Sequence, residues 1–354
     1  MISQRIGTGP LFAIASAALF GASTPLAKLL LGGGADPWLL AGILYFGSGI
    51  GLTVLWIIRH GNGTSISESP LRRADLPWMA LMILSGGVAG PLLLMLGLSR
   101  TSASSAALLL NLEGVATMGI AWAVFKENFD RRILLGAASI LLGAILLSSG
   151  GGLGGVSWGA LLIAGAGLAW GIDNNLTRKL SASDPVQIAA IKGVVAGSVN
   201  SALAFFAGSR LPGLPILGSA LALGFVGYGV SLVFFVLALR DLGSARTGAY
   251  FSTAPFIGAA LAVVLVGDKI STSLIVAGVL MALGLYLHLV ERHSHDHLHE
   301  ALEHEHRHIH DEHHQHSHTD ADPPGEPHAH WHKHAPMTHA HPHYPDIHHR
   351  HGHS

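Results

Sequence analysis

From Ile133 to Ile172 the chain runs for forty residues without an aspartate, glutamate, lysine or arginine. About 20 apolar residues suffice to cross the ~30 Å hydrocarbon core of a bilayer, so this run is long enough for two crossings back to back. The glycine cluster at 150–155 (GGGLGG) divides it. Composition points the same way. Charged residues make up 12% of the 354 positions, whereas a soluble domain carries about 25%. The 45 glycines suit helices that pack closely in lipid. With no cysteine in the chain, disulfides, thiolate metal sites and cysteine nucleophiles are excluded.

Reading the whole chain for such runs gives ten spans, at 11–31, 38–58, 76–98, 103–125, 133–149, 157–178, 186–207, 216–239, 246–266 and 271–290. Arg5 ahead of an apolar run resembles the start of a cleaved signal. That run continues to Lys28, however, and has a counterpart further on, so it is read as a span. Phe20-Gly21 and Lys28 match Trp170-Gly171 and Arg178 at one constant offset, and Asp36-Pro37 matches Asp184-Pro185. The stretch Ser102–Asn128, ending in Lys126-Glu127, has the same build as Ser244–Lys269, ending in Asp268-Lys269. Gly114 falls where Pro255 sits in the second stretch. Five spans per half is an odd number, which requires the second half to be inverted relative to the first. The expected fold is therefore an all-α integral membrane protein of ten transmembrane helices in two inverted five-helix repeats. Lysines and arginines in short loops set orientation. Arg5, Arg59, Arg72, Arg73, Lys126, Arg131, Arg132, Arg178, Lys179, Arg240, Arg246 and Arg292 fall on one side, against Lys28, Arg100, Arg210 and Lys269 on the other. Both termini are thereby expected on the cytoplasmic face of an inner or plasma membrane.

The LNLEG…AVFKEN and TAPF…VLVGDK helices, with the FG…K and WG…RK pair, resemble the EamA-type branch of the drug/metabolite transporter superfamily over residues 11–290. The resemblance implies a ten-helix inverted-repeat carrier, in most members an exporter of small metabolites. The expected units are residues 1–149 and 157–290 as EamA-like repeats, 150–156 as a glycine-rich connector, and 291–354 as a disordered, His-rich cytoplasmic tail. Such members often have proline after the fourth-helix glutamate. Gly114 stands there in this chain, so a kink is less secure in the first half than at Pro255.

Ionisable groups inside a span are costly and mark function by default. Glu113 lies near the middle of the fourth span, Lys192 about seven residues into the seventh, and Asp173 in the last third of the sixth. A carboxyl at Glu113 can take up and release a proton during alternating access. With Asn111 two residues before it, it can also hold a cationic group of a substrate. The plainer reading is a glutamate neutralised by Lys192 or bonded to a neighbouring helix. Lys192 pairs with Glu113, meets a substrate carboxylate, or snorkels to the interface. Asp173, Asn174 and Asn175 correspond to Ser23-Thr24-Pro25 and either interrupt a helix at a binding site or end one at the headgroups. Tyr250 and Tyr228 are weaker candidates, more often packing than ligand contact. No phosphate loop or hydrolytic triad is present, so neither ATP nor an enzyme's chemistry is expected, and no cofactor is required. Nothing marks the chain for nucleic acid.

Of the 25 histidines, all but His60 and His288 lie from His293 onward. They alternate with acids in HSHDHLHE and HEHRHIH, and neutral imidazole is a ligand for nickel, zinc, cobalt and copper. The candidate metal ligands are His293, His295, His297, His299, His304, His306, His308, His310, His313, His314, His316 and His318. His304/His308 and His306/His310 have helical i,i+4 spacing. The Pro323-Pro324-Gly325 stretch and low hydrophobicity argue against a packed domain. Sensing of pH below about 6 is a second use for so many histidines, and a solvated tail without a role is a third. The reading that follows is a proton-linked exporter of small organic metabolites with a metal-binding tail, whose partners are the lipid bilayer, a small-molecule substrate and divalent metal ions. A homodimer is left open. The alternatives are a divalent-metal exporter that uses the tail to collect its ion, and a membrane-anchored metal store or sensor.

Overall fold

The structure is a computed structural model, and it describes residues 8–61, 75–125, 131–149, 156–180, 185–242, 244–289, 294–299, 302–308, 328–334 and 337–342. Up to Leu289 its regular elements are all helical. α1 is Thr8–Gly32 and α2 is Pro37–Gly61. Asp36 starts α2: its Oδ1 accepts the Leu39 N–H at 3.0 Å, and Pro37 occupies the first helical position, where a missing N–H costs nothing. α3 consists of Leu76–Met82, a π-helical segment Ile83–Ala89, and Gly90–Leu98. α4 is Ala103–Leu109 and Leu112–Phe125, and α5 is Arg131–Ser148. α6 is Trp158–Leu180 and α7 is Pro185–Phe206. α8 is Leu214–Leu223, a π-helical segment Gly224–Val230, and Ser231–Leu242. α9 is Ser244–Phe251 and Ala254–Leu265, and α10 is Thr272–Leu289.

Among the described residues, nine helices are long and apolar enough to cross a membrane, one fewer than the sequence reading. The one left out is α6, expected as the span 157–178. It forms a helix of 23 residues, but the Asp173-Asn174-Asn175 triplet and Arg178-Lys179 lower its hydropathy. Large apolar side chains such as Leu11, Trp122, Leu135, Val264 and Val279 are more than half exposed. Scattered over the outside of the bundle, they make a surface suited to lipid. The protein is an integral membrane protein.

Small residues set the helix contacts. α2 lies against α7, where a Cβ on Gly49 would meet the Gly193 and Val194 backbone and one on Gly197 would meet Phe46. α5 lies against α10 through Gly136 and Gly284, with the Ser139 hydroxyl donating to the Leu280 carbonyl at 2.6 Å. α1 packs on α8 and α9, and α6 packs in the corresponding way on α3 and α4. The irregularities match as well. π-helical segments interrupt α3 and α8, and two-residue breaks interrupt α4 at 110–111 and α9 at 252–253. The kink in α4 therefore forms without proline. At the break the Leu108 carbonyl accepts from both the Asn111 N–H at 3.0 Å and Asn111 Nδ2 at 2.8 Å. At one end of the bundle Lys28 Nζ donates to the Leu98 and Thr101 carbonyls at 2.6 and 2.8 Å, and Asp268 Oδ2 accepts from the Ser104 N–H at 2.7 Å. These contacts tie α1, α3, α4 and the end of α9 together.

Four segments of the tail are extended. β1 (Ser294–His299) pairs antiparallel with β4 (Met337–Pro342), and β2 (Leu302–His308) with β3 (His328–His334). The i,i+4 reading of His304 and His308 is corrected by this, because both lie on β2 and not on a helix. Their segment alternates with period two, which is the strand period. His295, His297, His299 and His306 lie on strands as well. His293, His310, His313, His314, His316 and His318 lie outside the described residues.

Candidate functional site

A cavity of about 380 Å³ opens where α1, α2, α4, α6, α7, α8 and α9 converge. Its polar lining is Ser48, Glu113, Asp173, Asn174, Lys192 and Ser231, and Phe20, Tyr45, Trp170, Tyr228, Phe235 and Phe251 form an aromatic wall. Three of the aromatic rings form a relay, with Phe235 4.9 Å from Phe251 and Phe251 5.3 Å from Phe20 between centroids. Tyr228 continues it, 5.8 Å from Phe20 and 5.9 Å from Tyr45.

The break in α4 positions Glu113. The turn at 110–111 ends one helical piece, and Glu113 falls in the first turn of the next, where exposed N–H groups favour a carboxylate. Asn174 Nδ2 donates to Glu113 Oε1 at 2.9 Å and reaches Thr117 Oγ1 at 3.2 Å. Asn175 holds α6 in register on α4 by donating to the Thr117 and Gly171 carbonyls at 3.0 and 2.8 Å. The close approach of these helices depends on Gly171, where a Cβ would meet Ala116 and Thr117.

Asp173, about 100° round the helix from Asn174, pairs with Lys192 of α7 through its Oδ2, at 2.5 Å. Its other oxygen, Oδ1, is buried without a hydrogen-bond partner. The π-helical segment of α3 closes this side. A Cβ on Gly86 would fall on the Asp173 carboxylate, and the Gly86 carbonyl accepts from both Tyr45 Oη at 2.8 Å and Trp170 Nε1 at 3.0 Å. Asn200 Nδ2 donates to the Gly87 carbonyl at 3.0 Å. A π turn leaves backbone carbonyls out of the α ladder, and three side chains from α2, α6 and α7 take up two of them here.

Lys192 thus makes its direct ion pair with Asp173, which lies inside the bundle, 6% exposed. The Glu113 carboxyl accepts from a neutral amide, that of Asn174. The cavity therefore holds one neutralised ion pair and one carboxyl able to exchange a proton or to face a cation. Of the sequence candidates, the fold brings Glu113, Asp173, Asn174, Lys192 and Tyr228 together. Asn111 does not join them, being turned toward α10 with Nδ2 3.8 Å from Met281 Sδ. Tyr250 is 36% exposed and not part of the lining, while its neighbour Phe251 is. Sequence reasoning missed Tyr45, Ser48, Thr117, Ser231, Phe235 and Phe251. Phe20 and Trp170 carried a signal, since they match across the halves and both line the cavity. Among the described residues no group of three or more His, Asp or Glu side chains is placed to hold a metal ion.

The sequence model of the EamA-like transporter family matches this chain twice, over residues 7–149 and 157–290. A protein of Methanothermobacter thermautotrophicus, described as an uncharacterized transporter, is 28% identical over 77% of this chain and 84% of its own length. The uncharacterized inner membrane transporter YedA of Escherichia coli is 29% identical over 43% of this chain, and the match spans about half of YedA (53%). One solved crystal structure of a protein superposes with a TM-score of 0.57 at 19% identity, covering 80% of this chain and 96% of that one. That likeness shows the fold.

Proposed function

The chain belongs to the EamA-like transporter family, and from that premise we propose that it is a proton-linked secondary carrier, an exporter of small organic metabolites bearing a cationic amine on an apolar body. The observation that carries this reading is the contrast between the two carboxyl sites of one cavity. Asp173 makes a direct ion pair with Lys192, whereas among the described residues the hydrogen bond to the Glu113 carboxyl comes from the neutral Asn174 amide. A substrate ammonium beside Glu113 would supply the missing charge, and the aromatic wall offers faces to a cation and an apolar lining to the rest of the molecule. Proton and substrate would then compete for one carboxyl, which is sufficient for antiport.

The double family match and the paired irregularities of α3/α8 and α4/α9 support an inverted-repeat carrier whose site lies between the halves. With both termini cytoplasmic, as the lysine and arginine distribution suggests, the tail faces the cytoplasm, where it serves as a metal-binding appendage. Divalent-metal export is the weaker reading, because a bare ion's path needs several anionic ligands together and this cavity has one uncompensated carboxyl.

Purified protein in liposomes loaded with a pH-sensitive dye tests the proposal. Tyramine, tryptamine, amino acids and matched carboxylic acids are added outside in turn. Amines are expected to move protons in proportion to their apolar size. Proton movement with the acids alone, or with nickel and zinc salts alone, overturns it.

A further inference from the structure

The cavity contains an ammonium of its own. Lys192 enters it from α7 on a flexible four-carbon stem, and its Nζ rests on Asp173 Oδ2 at 2.5 Å. Lys192, Asp173 and Glu113 line the same space, and both charges of the pair act electrostatically on the Glu113 carboxyl. The two carboxyls share one frame, because Asp173 precedes Asn174 on α6 and Asn174 Nδ2 donates to Glu113 Oε1 at 2.9 Å. Asp173 is itself fixed in place. A Cβ on Gly86 would overlap its carboxylate, and the Gly86 carbonyl is fastened by Tyr45 and Trp170. Its Oδ1 is buried without a hydrogen-bond partner, so the contact with Lys192 is what balances this carboxylate inside the bundle.

We propose that Asp173 is a positioning residue that tethers the Lys192 ammonium away from Glu113, and so leaves Glu113 open to a proton or to the ammonium of a substrate. An ionised carboxyl within a membrane bundle is unfavourable unless it is paired or hydrated. That penalty holds back an empty carrier until Glu113 takes up a proton or a cation. A lysine free to swing onto Glu113 would remove the penalty from within, since it offers the same group as the substrate. The empty carrier would then change sides without a proton, and antiport would become downhill diffusion. Asp173 prevents this by acting through Lys192. The consequence for coupling rests on the amine–proton reading of the cavity, whereas the placement of Lys192 does not.

The test follows the lysine first by chemistry and then by transport, using the full-length protein in liposomes. Dicyclohexylcarbodiimide activates a carboxyl in an apolar site. A neighbouring amine captures it as an isopeptide bond, and the reagent leaves as its urea, carrying off the elements of one water. Peptide mass spectrometry is expected to find Lys192 joined to Asp173 in the wild type and to Glu113 in Asp173→Asn, the Glu113–Lys192 product rising at least tenfold. Asp173→Asn should also keep tyramine exchange at equal pH while accumulating it at least tenfold less under a pH gradient. Adding Lys192→Met to Asp173→Asn removes the competing ammonium and should recover most of that accumulation, so the tether remains testable even where the single variant folds poorly. Equal Glu113–Lys192 product in wild type and Asp173→Asn, accumulation by Asp173→Asn at the wild-type level, or a double variant that stays uncoupled each overturns the proposal. The expected change of cross-link in a protein that moves no proton with any amine overturns the amine–proton reading and leaves the tether standing.

Discussion

Asp173, Asn174 and Asn175 follow one another on a single helix and do three different jobs, because a helix turns by about 100° per residue. Asp173 reaches Lys192 on α7, Asn174 reaches Glu113 on α4, and Asn175 pins the backbone of α6 to that of α4. Removing one partner of a buried ion pair leaves the other charge uncompensated, at about 3–5 kcal/mol, whereas replacing both with neutral groups is close to neutral. Asp173→Asn and Lys192→Met are therefore each expected to lower the detergent melting temperature sharply, and the double variant to recover most of the loss. A double variant as unstable as either single would contradict the pairing. The sequence showed three ionisable residues in the membrane but not which of them meet. The sequence reading set Lys192 against Glu113, a substrate carboxylate or the interface and not against Asp173, because the rotation of α7 relative to α4 and α6 is fixed by packing between helices and leaves no local trace. Asn111 lies apart from the cavity lining for a related reason. A polar residue two positions from Glu113 lies on nearly the opposite side of a regular helix, and here the break assigns it to the backbone it caps.

At the scale of elements, the cavity depends on departures from regular helix. The breaks in α4 and α9 and the π-helical segments of α3 and α8 place Glu113, Phe251, Gly86 and Tyr228. Pro255 announced one of these breaks. The corresponding break in α4 was underestimated, because Gly114 lacks the steric reason to kink and the break falls three to four residues earlier, at 110–111. The π segments were marked only by their glycines, which also read as ordinary close-packing positions. Gly86 and Gly114 provide a paired test. An alanine at Gly86 would overlap the Asp173 carboxylate, and overpacking of that kind costs about 1–3 kcal/mol. An alanine at Gly114 meets nothing within 4 Å, and in a helix it gains about 0.5–1 kcal/mol over glycine. Gly86→Ala is expected to lower the melting temperature and transport together, and Gly114→Ala to leave transport intact with an equal or higher melting temperature. Equal effects of the two substitutions would mean that the glycines act only through helix propensity.

For the whole molecule, the membrane body was legible from charge spacing, and the family from the acidic-ended fourth and ninth helices. What the assembled chain adds is a site to which seven helices from both halves contribute, so that movement of one half against the other changes the surroundings of Glu113. Its carboxyl is the point at which proton and substrate are coupled in this account. The most direct measurement compares wild-type and Glu113→Gln protein in liposomes, using an amine found to move protons. Substrate exchange at equal pH is set beside accumulation driven by a pH gradient. The account predicts that the variant, whose amide still accepts from Asn174, keeps exchange and loses gradient-driven accumulation. Accumulation by Glu113→Gln at the wild-type level would show that the proton travels elsewhere and would contradict the central claim.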